Sequence, residues 1–205
     1  MPAYDMENAL ISKGYKMICG VDEAGRGPLA GPVFAAAAVL NIGDEIAGLD
    51  DSKKLSEKKR ALLFDVIRER AVCFAVASAS VEEIERLNIL GAAMLAMTRA
   101  VDMLPQPADY AIIDGNRVPD SLKGRAVSLV RGDSLSMSVA AASVLAKVSR
   151  DRYMEKMAAE YPEYNFAKSK GYGTKEHIEL IKKYGPCPIH RPSFLKKILA
   201  DNSHR

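Results

Sequence analysis

Residues 17–40 read MICGVDEAGRGPLAGPVFAAAAVL, and this stretch decides the fold. It holds two apolar runs of strand length, 17–21 and 33–40, parted by a segment with glycine at 25, 27 and 31 and proline at 28 and 32. Such a segment excludes regular structure between the runs. Gly25, Gly27 and Ala30 also fit a relaxed dinucleotide fingerprint, with Asp44 or Glu45 about twenty residues on as the ribose-binding acid. That fingerprint demands a helix after the glycines. Pro32 and the run VFAAAAVL give a second strand instead, and Asp22 and Glu23 would face the pyrophosphate. The stretch therefore reads as strand, acidic strand end, glycine loop, strand.

Further strand-length apolar runs lie at 72–77, 110–113 and 127–130, which makes five. Helical patterns separate them. Ser56 is a candidate N-cap before the pairs Leu62/Val66 and Leu63/Ile67, and Ser80 with Glu83 has the spacing of a capping box. Leu90, Met94, Met97, Val101 and Leu104 then form an apolar stripe predicted to face the core. An alanine-rich helix is predicted over 137–160. Three early strands followed by helices alternating with two more predict an α/β fold, a sheet of mixed direction covered by helices.

From Tyr161 onward the chain turns basic, aromatic and proline-containing, so it is expected to divide into 1–160 and a smaller region, 161–205. Thr174 reads as the N-cap of a helix ending near Tyr184, stopped by Gly185 and Pro186. Lysines 175, 182 and 183 on it suit a phosphate backbone and a solvated helix face equally.

Up to residue 122 the chain has 13 basic and 18 acidic residues; beyond it, 16 basic and 8 acidic. An acidic half beside a basic half suits a nuclease, although a solvated surface shows such splits too. Cys19, Cys73 and Cys187 are odd in number and contain no C-x-x-C, which points away from a disulfide framework and a zinc site. With no apolar run of about 18 residues and no basic-then-apolar N-terminus, a soluble, cytoplasmic protein without a membrane span is expected, acting as a monomer.

The chemistry is carried by acids at strand ends. Asp22 and Glu23 close the first strand. Neighbouring strand residues point to opposite faces, so both reach one site only if the chain turns there, which Gly25 and Gly27 permit. Asp114 ends the strand YAIID before Gly115, and Asp133 lies in RGDS between the fifth strand and the long helix. Considered alone, Asp133 is equally a helix-capping aspartate. Together the four balance two divalent cations, and hard oxygen ligands suit Mg²⁺ or Mn²⁺. Such an ion pair activates water and stabilises the departing 3′ oxygen of a phosphodiester, so no protein nucleophile is needed. The absence of a G-x-S-x-G elbow, and of enough histidines for a histidine-rich metal site, agrees.

The blocks GVDEAGRGPLAGPV, DDSKKLSEKKR, IIDGN, RGDSLSMSVAAASVLAKVSRD and KGYGTKEH with GPCPIHRPSF closely resemble, in order, the motifs of the ribonuclease HII family, from about Lys16 to Phe194. The resemblance implies a ribonuclease H-like fold with a helical C-terminal region that grips the duplex. It implies cleavage of the RNA strand of RNA·DNA hybrids, and at single ribonucleotides in duplex DNA, with Mg²⁺ or Mn²⁺ held by Asp22, Glu23, Asp114 and Asp133. It also assigns Gly25, Arg26 and Gly27 to the ribose 2′-OH through backbone groups, and Tyr172 to the sugar that follows. Lys53, Ser143 and Lys147 would hold neighbouring phosphates. Ser169, Gly173 and Arg131 depart from residues common in the family at those places. A protein that holds RNA·DNA hybrids without cutting them is the alternative; intact acids at all four positions oppose it.

Overall fold

The computed structural model describes residues 2–53 and 55–200; residues 201–205 of the predicted C-terminal region lie outside them. Five strands form one sheet in the order β3-β2-β1-β4-β5: β1 Ile18–Ala24, β2 Val33–Val39, β3 Cys73–Ala79, β4 Tyr110–Asp114 and β5 Ala126–Leu129. The hairpin-like half, β1 to β3, is antiparallel, whereas β4 and β5 run parallel to β1. Local antiparallel pairing followed by two strands that each need a crossover produces the expected mixed sheet.

The helices are α1 Asp5–Ile11, α2 Glu57–Arg70, α3 Val81–Asp102, α4 Gly132–Leu135, α5 Met137–Glu160, α6 Phe166–Ser169, α7 Lys175–Tyr184 and α8 Pro192–Ala200. The expected caps are all present. Ser56 accepts from the Lys59 N–H, Ser80 and Glu83 close a reciprocal capping box, and Thr174 accepts from the His177 N–H.

One element differs from its sequence pattern. Helix α3 breaks at Asn88, whose φ of 57° and ψ of 169° lie outside helical space. Its side chain accepts from the Leu90 and Gly91 N–H groups at 3.0 and 3.1 Å, recapping the second half. The break rotates the predicted stripe: Met97, Val101 and Leu104 are buried as expected, while Leu90 and Met94 stay half-exposed beside Glu23 and Asp114.

Two apolar layers sandwich the sheet. Val21, Val33, Ala35 and Ile113 face α3, while Ala36 and Ala38 face α5 and α2. Alanines on both β2 and α5 let the long helix lie close. The approach is closest at Gly20, where a Cβ would sit 2.1 Å from the Ser138 backbone, so any side chain there would push β1 off α5. That contact sets the height at which Asp22, two residues on, meets the helix. The C-terminal residues build a smaller core of Tyr164, Phe166, Ile181 and Leu195, which takes in Ala30 and Met154 from the rest of the chain.

Candidate active site

Strand β1 stays extended through Asp22 and Glu23, paired with Ala36 and Ala35 of β2, so the expected turn at the acids does not occur. It comes one residue after the strand, at Gly25, with φ of 101°. Asp22 therefore leaves the strand on the α5 side and Glu23 on the α3 side, and the two straddle the strand end rather than share a face. One step beyond the Val21–Ile113 pair, Asp114 comes level with Asp22 on a parallel strand, a spacing of about 4.8 Å. Asp133 sits in the first turn of α4, entered through Arg131 in the left-handed region.

These acids feel one another. Burial, then the charges of Glu23 and Asp114, hold Asp22 well above the usual carboxylate range against a hydrogen bond from Ser143. Burial raises Glu23 too, with Asp114 adding to it and Arg26 opposing. Asp133 is raised by burial, then by Asp114 and Asp51, while Lys53 opposes. Asp114 is the neighbour common to all three.

Among the described residues no three acidic, histidine or cysteine side chains close into a finished coordination sphere. Each carboxylate turns to a protein donor instead. Asp22 accepts from the Glu23 N–H at 2.7 Å, Asp114 from the Gly132 N–H at 2.7 Å, and Glu23 from Arg26 at 3.2 Å; Lys53 stands 3.9 Å from Asp133. The two cations involved are the exposed ones, 80% for Lys53 and 53% for Arg26, so they can swing away. Hard oxygen donors that repel one another, with exposed surface cations as their opposing charges, fit divalent metal ions.

All seven residues predicted to touch substrate line one cleft of about 490 Å³ together with Asp22 and Glu23: Gly25, Arg26, Gly27, Lys53, Ser143, Lys147 and Tyr172. Asp114 opens into an adjoining hollow beyond Glu23 and Arg26. A larger hollow of about 710 Å³, between the second half of α3 and residues 117–123, contains none of the four acids. Within the cleft the seven differ in freedom. The Ser143 hydroxyl is buried, shares a hydrogen bond with Ser52 at 2.8 Å and hydrogen-bonds Asp22. Lys147 is paired with Asp151 at 2.7 Å, and its Nζ lies 5.8 Å from the Tyr172 ring centre. Tyr172 is exposed, on a turn held by Ser169, whose Oγ accepts from the Gly171 N–H at 3.2 Å.

Several residues around the cleft went unassigned in the sequence. Asp51 presses on Asp133; its signal was the DDSKKL block. Arg150 and Arg191 are fully buried behind the glycine loop, and His177 and His190 are buried behind Tyr172. The HRPSF run was noticed without a role, because burial of an arginine is not legible in composition.

A family model described as ribonuclease HII matches residues 19–197. The ribonuclease HII of Caldicellulosiruptor bescii is 50% identical over 197 residues, covering 96% of this chain and 95% of that protein. Among solved structures, the ribonuclease H2 from Pyrococcus horikoshii superposes with a TM-score of 0.74 at 25% identity, covering 93% of this chain and all of that one. The ribonuclease HII of the PCNA:RNase HII complex from Archaeoglobus fulgidus gives the same TM-score and identity, covering 89% of this chain and 96% of that one. With the ribonuclease H-like sheet in place, the chain belongs to the ribonuclease HII family and is a hydrolase of the ribonuclease H type.

Proposed function

We propose that the chain is an endonuclease that hydrolyses the RNA strand of RNA·DNA hybrids and also cuts at single ribonucleotides embedded in duplex DNA, leaving 5′-phosphate and 3′-hydroxyl ends. The observation that carries the reading is the electrostatic convergence of Asp22, Glu23 and Asp133 on Asp114, at the rim of the cleft that holds the glycine loop and Tyr172.

Asp22, Glu23, Asp114 and Asp133 would hold two Mg²⁺ or Mn²⁺ ions. When bound, such ions supply a water nucleophile and offset charge on the departing 3′ oxygen. The chain's own residues do the rest. Burial that lifts the carboxylates also makes them a strong sink for cations. Lys53 and Arg26 lie close enough to reach phosphates once released from Asp133 and Glu23. The Arg26 and Gly27 backbone would meet the ribose 2′-OH, where absence of a side chain at 27 permits close approach. Tyr172 would pack against the following sugar, with Lys147 beside its ring. Region 161–205 would carry that tyrosine and grip the duplex, and reduced cysteines suit work in the cytoplasm.

The test is incubation of three end-labelled duplexes, all-DNA, all-hybrid and single-ribonucleotide, with and without divalent metal. Cleavage of the two ribonucleotide-containing duplexes only with metal, at the ribonucleotide and with 3′-hydroxyl ends, is the expected outcome. Cyclic phosphate ends would point to attack by the 2′-OH and exclude the water mechanism.

A further inference from the structure

Arg191 is completely buried and forms no ion pair among the described residues, yet its guanidinium makes five hydrogen bonds, all to backbone carbonyls of the glycine loop. It donates to Gly25 O at 2.6 Å, Arg26 O at 3.0 Å, Pro28 O at 2.8 Å, and twice to Gly31 O, at 2.9 and 2.7 Å. Arg150, equally buried, completes the set with Ala30 O, Pro32 O and, across the cleft wall, Lys170 O. Burial, then the neighbouring Arg150 charge, push Arg191 down to about 9. Two desolvated cations that form no ion pair among the described residues are costly, so their use on one loop calls for a reason.

Peptide geometry supplies it. In a trans peptide the carbonyl of one residue and the N–H of the next point in opposite directions. With the Gly25 and Arg26 carbonyls drawn into Arg191, the Arg26 and Gly27 N–H groups are turned the other way, and neither meets an acceptor among the described residues. Both residues line the cleft. The rest of the loop is sewn to the C-terminal region, Leu29 N–H to Gly171 O and Gly31 N–H to Ile189 O, each at 2.8 Å. Gly25 is locked as well, since a Cβ there would lie 2.1 Å from Arg150 Nε.

We propose that Arg191, supported by Arg150, is a positioning residue for ribose recognition: it fixes the peptide planes of the glycine loop so that two adjacent amide donors face the cleft before substrate arrives. The proposal rests on the reading that this loop meets the 2′-OH. Preset donors need no reordering on binding, which is where such a fork gains selectivity.

The test measures, in EDTA so that nothing is cut, the affinity of wild type, Arg191→Lys and Arg150→Lys for two duplexes of identical sequence, one all-DNA and one with a single ribonucleotide. Lysine keeps the charge and loses the planar fork. Wild type should favour the ribonucleotide duplex by about tenfold, the size of one or two net hydrogen bonds. Arg191→Lys should reduce that ratio to within about twofold while affinity for all-DNA duplex stays as in wild type. No preference in wild type would sink the reading of the loop itself. A preference kept by folded Arg191→Lys, or equal weakening on both duplexes, would overturn the positioning role alone. Unfolding of both variants would overturn it too, because their work would then be the whole fold and not one loop.

Discussion

On one side of the cleft, three carboxylates sit above their usual range through burial and one another's charge, with exposed Lys53 and Arg26 as the opposing charges. On the other, two buried arginines donate eight hydrogen bonds to backbone carbonyls and form no ion pair among the described residues. The acid corner is left electrostatically incomplete and the reading wall is complete before anything binds. An incomplete charge balance draws in a ligand of opposite charge, while a fixed backbone discriminates shape. Separating the two lets a cation bind strongly without loosening the surface that tells ribose from deoxyribose.

The largest expected effect comes from removing Asp114, the charge common to its three neighbours. Asp114→Asn should lower metal-dependent cleavage of a hybrid by more than about 100-fold, since even outer partners of metal ligands are worth 10- to 100-fold. Its melting temperature should equal or exceed wild type, because the repulsion on Asp22, Glu23 and Asp133 is relieved. The sign follows from linkage. Carboxylates raised in the folded state give stability that is full below their unfolded pKa, about 4, and lost as pH rises through the folded values. The corner's contribution to stability should therefore fall toward neutral pH, and should fall less in the variant than in wild type. Turnover like wild type, or a large fall in melting temperature, would remove Asp114 from the centre of the corner.

The reading wall breaks differently at its two glycines. A Cβ at Gly27 would meet only Tyr172 Cε1, at an ordinary 3.9 Å, so Gly27→Ala should fold normally. It should nonetheless cut the single-ribonucleotide substrate about tenfold less well, because the methyl stands where the sugar must approach. Gly25→Ala combines φ of 101° with the Arg150 clash and should cost about 1–3 kcal/mol or more in unfolding free energy. If Gly25→Ala melts like wild type, the wall is not clamped.

These two walls were unequally legible in the sequence. Strand ends, caps and the long helix over 137–160 were readable because apolar period and capping chemistry are local, and the acids stood out where apolar runs stopped. Non-local geometry was not readable. Asp22 and Glu23 reach one region from opposite faces of a continuing strand, which the alternation of side chains argued against until β4 brought Asp114 alongside. Asn88 breaks α3 within an unbroken apolar pattern. Arg191 is 160 residues from Gly31, its acceptor, and nothing in HRPSF distinguishes a buried fork from a surface cation.

A smaller effect is expected at Tyr172, since the ring touches substrate without organising the loop. Tyr172→Ala should reduce cleavage at a single ribonucleotide several-fold more than cleavage of a long hybrid, by about 1–2 kcal/mol of lost stacking and packing. Equal losses on both substrates would leave it a wall of the cleft rather than a sensor of the RNA-to-DNA junction. Arg150, 5.8 Å from the ring centre, and Lys147 should hold the ring's position in the folded protein.

The smallest effect concerns what stands behind Tyr172, and it has the opposite pH sign to the acid corner. The Cys187 N–H donates to His190 Nδ1 at 2.9 Å, so the His190 proton is on Nε2. That proton goes to His177 Nε2 at 3.1 Å, which leaves the His177 proton on Nδ1, donated to Tyr172 O at 2.8 Å. The chain of bonds closes only if both rings are neutral; a third proton would set N–H against N–H. Burial, then the facing His177, accordingly push His190 down to about 4, and burial lowers His177 as well. A base depressed in the folded state gives stability that is present above its unfolded pKa, about 6.5, and lost as pH falls through the folded one. Followed by melting between pH 7 and pH 4, the stability of wild type relative to His190→Asn, which keeps the acid corner and His177, should thus fall by roughly 1 kcal/mol by about pH 5.5. A wild-type-minus-variant difference that does not change with pH would mean that protonation does not strain this knot. A fall of wild type relative to His190→Asn, together with a rise of wild type relative to Asp114→Asn over the same interval, would show the two walls answering acid in opposite directions.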